Sequence, residues 1–128
     1  MSSNERSEAR SVILRLRRYR DRIEDITRVD GGRVAAGAPA GAATQRRLVS
    51  LKNDLDHDSH ECEIGRKRAV QSDCEQMFLW PALREAAGAM TERSGPRLLD
   101  ADAKEELRAA RAHILNYLEQ LEGLYPTL

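Results

Sequence analysis

Aromatic side chains are scarce in this chain: of 128 residues three are Tyr, one is Phe and one is Trp, 4% in all. β-Branched residues are sparse too, and no stretch alternates polar with apolar positions, which argues against a sheet. Cysteine occurs only at Cys62 and Cys74, too few for a disulfide framework. In a reducing compartment each thiol is expected to be a small buried or half-buried hydrophobe. No apolar run approaches the roughly 20 residues that a membrane-spanning helix needs. The start, Met1-Ser2-Ser3-Asn4-Glu5-Arg6, lacks the basic-then-apolar order of a signal peptide, so the cytoplasm is the expected location. A surplus of one charge is also missing. Lys plus Arg and Asp plus Glu each number 21, so no long-range field draws the protein to nucleic acid or to an anionic membrane.

What the chain does have is charge of both signs, 33% of residues, interleaved with strong helix formers. That is the profile of amphipathic helices with one face in water. The length suits a single domain, residues 1–128. Val12, Ile13, Leu16, Tyr19, Ile23 and Ile26 recur every three or four residues and predict a first helix over about residues 7–29. Arg15, Arg17, Arg18, Arg20 and Arg22 lie between them. Such a basic stripe can touch phosphate or can be a solvated face with intrahelical ion pairs.

Asp30-Gly31-Gly32 is expected to stop that helix, and residues 33–43, with Gly37, Pro39 and Gly41, to form a flexible connection. Thr44 is a reasonable N-cap for a second helix through Leu48, Leu51 and Leu55 toward Ile64. Gly65 interrupts the pattern, so the chain either continues to about Ala87 as one long helix or breaks in two. Val70, Cys74, Met77 and Pro81 would supply the inner stripe of the later part, with Pro81 kinking it. Residues 90–99 read as a loop. The last helix opens at Asp100 or Asp102, carries the stripe Leu107, Ala110, Ile114, Leu118 and Leu121, and ends at Gly123 and Pro126.

The densest group of chemically capable residues is Asp54, His57, Asp58, His60, Glu61, Cys62 and Glu63. Residues four apart on an α-helix differ by about 40°, so His57 and Glu61 share a face. The eighteen residues to Glu75 make about five turns, which brings Glu75 onto the line of His57 if the helix is unbroken. Imidazole with carboxylate suits iron, manganese or zinc. The plainer alternative is a polar surface cluster paired with Lys52, Arg66 and Lys67. A zinc set of His57, His60, Cys62 and Cys74 has the right residue types but poor helical geometry. No base or orienting group can be assigned to a cysteine nucleophile. His113 reads as a boundary residue.

Glu75-Gln76-Met77-Phe78-Leu79-Trp80-Pro81-Ala82-Leu83-Arg84-Glu85-Ala86 resembles a segment of the hemerythrin-like, or HHE cation-binding, domains, with Leu79-Trp80-Pro81-Ala82-Leu83 the closest part. The resemblance implies an up-and-down bundle whose inner His and carboxylate side chains hold non-haem iron. Carried over by position, Glu75 falls on the family's glutamate, while Gln71, Tyr19 and Arg111 stand where histidines are expected. His57 and Glu61 supply a His-x-x-x-Glu pair fourteen residues upstream of the expected place. A second such pair would lie beyond Leu128, so a full di-iron set is not expected from one copy.

The sequence thus predicts an all-α, up-and-down bundle of three to four helices. Its leading functional expectation is a hemerythrin-like domain that binds, or formerly bound, a metal such as iron through His57, Glu61 and Glu75 in a sensing or regulatory role. The alternative is a cofactor-free helical interaction module. In that version Ile13, Ile23, Ile114 and Leu121 stay partly uncovered until a protein partner or a second copy completes the bundle. No substrate pocket is defined for an enzyme.

Overall fold

The computed structural model describes residues 3–30, 42–90 and 101–126. Helix α1 (Ser3–Asp25) continues as a π-helical turn, Ile26–Asp30. Helix α2 spans Ala42–Lys67, a second π-helical turn (Glu75–Leu79) leads into α3 (Trp80–Ala89), and α4 is Ala101–Leu124. The described residues contain no strand, and no helix among them is long and apolar enough to cross a membrane.

Contacts between side chains far apart in sequence fix the helix directions. Arg17 meets Glu122 at 2.7 Å and Arg111 meets Glu24 at 2.8 Å, so α1 and α4 are antiparallel. Tyr19 donates to Asp58 and Arg22 meets Asp54 at 2.9 Å, which sets α2 antiparallel to α1. Tyr117 donates to Glu85, and Tyr125 shares a hydrogen bond with Cys74, which reverses α4 against α3. The result is an all-α, up-and-down bundle of four helices.

Apolar residues at helical spacing from all four helices fill its middle. Leu16, Ile23, Leu51, Leu55, Leu83 and Leu118 are fully buried. Ile13, Ile23, Ile114 and Leu121, expected to be partly uncovered, are each at most 1% exposed. Four described helices close the bundle around them. The α1–α4, α3–α4 and α2–α3 pairs pack closely, whereas α1 and α2 stand further apart and meet through long polar side chains.

The break after α2 comes later than Gly65. That glycine lies inside the helix, where a Cβ would come within 3.0 Å of Gln71 Cγ. Its role is to leave room for the Gln71 side chain, which donates to the Cys62 carbonyl. Two reverse bonds terminate the helix: Val70 N–H to Gly65 O at 3.0 Å and Ala69 N–H to Arg66 O at 3.2 Å. This is the Schellman pattern, and its left-handed position is held by Ala69, φ 56°. Alanine is strained there where glycine is not, an advantage partly offset by glycine's greater freedom in the unfolded chain. Ala69→Gly is therefore expected to stabilise the protein by about 0.5–1 kcal/mol, seen as a higher urea midpoint at unchanged m-value.

The stripe predicted for the next segment is corrected in part. Cys74 is buried, but Val70 and Met77 are 75% and 62% exposed. The buried positions are instead Phe78, Leu79, Ala82, Leu83, Ala86 and Ala87. Val70 lies in the non-helical residues 68–72, and Met77 in the π-helical turn, in which Trp80 N–H bonds to Glu75 O, five residues back. One extra residue in the turn rotates everything that precedes it. Pro81 follows at once. It has no N–H to give, and it sits in the first turn of α3, where that N–H has no intrahelical partner to lose. At the other end of α3, Lys52 Nζ reaches across from α2 to the Ala87 carbonyl at 2.8 Å, a cation at a helix C-terminus. Residues 33–41 and 91–99, expected as connections, lie outside the described residues; α2 itself starts at Ala42, two residues before the expected cap.

Candidate functional site

The register of α2 decides where its polar cluster points. Leu48, Leu51, Leu55 and Cys62 are buried and define the inner side. At about 100° per residue, His57 lies roughly 150° and Glu61 roughly 110° from that direction. Both are exposed, as is His60. Asp58, only about 50° away, is the polar residue of the cluster that turns inward.

Glu75 does not join them. Five residues of non-α-helical backbone between Lys67 and the next helical turn destroy the register that an unbroken helix would give. Glu75 instead closes a capping box with Ser72. Its Oε1 accepts from Ser72 Oγ at 3.0 Å and Ser72 N–H at 3.3 Å, and its own N–H donates to Ser72 Oγ at 3.2 Å. No three His, Cys, Asp or Glu side chains among the described residues are placed to hold a metal ion. His57, Glu61 and Glu75 are therefore not brought together, and the donor set does not fit an interior iron site. The same holds for His57, His60, Cys62 and Cys74. Both thiols are free and buried, and burial pushes their pKa values up, away from the thiolate a nucleophile requires. His113 is 40% exposed and faces Glu85 at 3.5 Å, a boundary position.

The Trp-Pro segment has a packing explanation. Leu79, Ala82 and Leu83 are fully buried core residues. Trp80 is half-buried between two guanidinium groups, Arg66 at 4.5 Å and Arg84 at 4.6 Å from the ring centre. Its indole Nε1 is buried without a hydrogen-bond partner.

What the structure assembles instead is a polar seam between α1 and α2. Tyr19 is 4% exposed, occupies an apolar-stripe position of α1, and donates its hydroxyl to Asp58. Burial first, and the hydrogen bond and charge of Asp58 second, raise its pKa well above the ordinary value of 10.0. Arg22 lies over the same ring at 5.5 Å and pairs with Asp54. Arg15, Arg18 and Arg22 line a cavity of about 140 Å³ beside this pair. Near neutral pH such a tyrosine keeps its proton, so the pair positions and specifies rather than transferring protons. The sequence contained a signal for it: Asp58 interrupts the apolar spacing of α2 where a core residue belongs.

Compared with protein-family models, curated proteins and solved structures, the chain matches none. The hemerythrin-like resemblance accordingly stands on the segment around Leu79-Trp80-Pro81-Ala82-Leu83 alone.

Proposed function

We propose that this chain is a cofactor-free helical module with a sensing or regulatory role, acting through its charged surface and the α1–α2 seam. The supporting observation is the filling of the bundle interior. Aliphatic side chains and the Tyr19–Asp58 pair take up the middle, while His57 and Glu61 face outward and Glu75 is engaged by Ser72. Its buried, free thiols suit the cytoplasm. Any hemerythrin-like ancestry would then survive in the helical scaffold and not in a metal centre.

Metal analysis of protein purified without an affinity tag tests this reading. Iron, manganese and zinc are expected far below one equivalent, and added Fe(II) or Zn(II) should leave the thermal midpoints of wild type and His57→Ala the same. A stoichiometric metal lost on His57→Ala or Glu61→Ala, or a metal-dependent rise in midpoint that these substitutions abolish, overturns it.

A further inference from the structure

Positive and negative side chains balance over the chain, 21 against 21, but not locally. At the end of the bundle where α1 gives way to its π-helical turn and α2 begins, the α1–α2 seam opens into a cavity of about 690 Å³. Arg22, Arg28, Arg46 and Arg47 line it, and Asp25 is the single carboxylate among its described lining residues. Ile26 and Ser50 complete the wall. Four guanidinium groups converge on this one concavity, and two of them, Arg22 and Arg28, also pair with Asp54 and Asp25.

Two of the arginines are held in place before any ligand arrives. Arg22 is fixed by Asp54 at 2.9 Å, by Ser50 Oγ at 3.5 Å and by the Tyr19 ring, and Arg28 by Asp25 at 2.7 Å. A guanidinium has five N–H donors, so one carboxylate contact leaves most of the fork available. Arg46 makes no ion pair with a described residue and is exposed. Arg46 and Arg47 also stand in the opening turns of α2, where the helix dipole adds partial positive charge.

We propose that the Arg22–Arg28–Arg46–Arg47 cavity binds a soluble small molecule carrying two or more phosphate groups. Planar guanidinium forks match phosphate oxygens in bidentate fashion, and several forks around one concavity select a polyanion over a single charge. The volume lies within the roughly 300–1,000 Å³ usual for small-molecule sites, and Ile26 offers apolar contact to an organic portion. This deepens the sensing or regulatory role proposed above and rests on it; the metal analysis and the titration below fail independently of each other.

The test is isothermal titration of the full chain with sodium tripolyphosphate, and separately with inorganic phosphate, in about 150 mM NaCl, where surface fields are screened beyond roughly 8 Å. Saturable tripolyphosphate binding tighter than about 1 mM is expected, with inorganic phosphate at least tenfold weaker. Arg28→Glu/Arg46→Glu should weaken tripolyphosphate at least tenfold. Arg10→Glu/Arg68→Glu, with the same charge change at the opposite end of the bundle, should leave it unaltered. If the first pair impairs folding by circular dichroism, Arg28→Gln/Arg46→Gln is read instead, with the same expectation. The proposal is overturned by the absence of saturable binding, or by equal losses in both pairs of variants. Association that requires phosphatidate vesicles and is not reproduced by the soluble probe also overturns it.

Discussion

Leu118→Ala is expected to lower the unfolding free energy by about 3–4 kcal/mol, the range for deleting a fully buried leucine whose cavity cannot collapse. Leu118 is 0% exposed on α4, the helix that packs closely against both α1 and α3. For a domain whose total stability is on the order of 5–15 kcal/mol, the loss is a large share of what holds it folded. Urea denaturation followed by circular dichroism should show a much lower midpoint with an unchanged slope. Glu119→Ala, one residue on and exposed, should stay within about 0.5 kcal/mol of wild type. Comparable effects from the two substitutions would mean that α4 is not packed as described.

Tyr19→Ala should be as damaging, at about 3–5 kcal/mol, because it removes a buried aromatic ring and strips Asp58 of its inward partner. Tyr19→Phe isolates the hydroxyl and should cost about 1–2 kcal/mol near neutral pH. The two variants also differ from wild type in their response to alkali. The folded-state pKa of Tyr19 is raised above its unfolded value, so the folded protein holds this proton more tightly than the unfolded chain does. Stability from that difference is complete below about pH 10 and is lost as pH rises beyond it. The wild-type urea midpoint should therefore fall above pH 10, and more steeply than that of Tyr19→Phe. Some slope must remain in the variant, since Tyr117 and Tyr125 are shifted upward too. Identical slopes would show that the Tyr19 hydroxyl is not held by Asp58.

Helix existence and the core faces of the first and last helices were legible because their apolar spacing is strict. Leu107, Ala110, Ile114, Leu118 and Leu121 are all at most 1% exposed, as their periodicity predicts. The segment between Gly65 and Pro81 was not. Composition offers Gly65 as a candidate break beside an unbroken helix, whereas the left-handed turn falls on Ala69, a residue type that gives no local warning of it. The non-helical link leaves Val70 outside the core, and the π-helical turn does the same to Met77, because a one-residue insertion is invisible to a 3.6-residue count. The candidate site is undone by the break after Lys67. Glu75 was aligned with His57 on the assumption of a continuous helix, although Ser72-Asp73-Cys74-Glu75 carries the spacing of a capping box. His57 and Glu61 are exposed on the outer side of α2, a direction obtained by counting from Leu51 and Leu55. Most of the arginines around the large cavity come from two separate helices, and only the fold brings them to one place.

Trp80, clasped by Arg66 and Arg84, is the chain's only indole, so its light emission reports on the α2–α3 corner and nowhere else. Melting curves read from that emission and from helix ellipticity superimpose if the corner dissolves together with the bundle. Were the corner to loosen first, the optical signal would move ahead of the loss of helix, giving a site-resolved view of local opening without any added label.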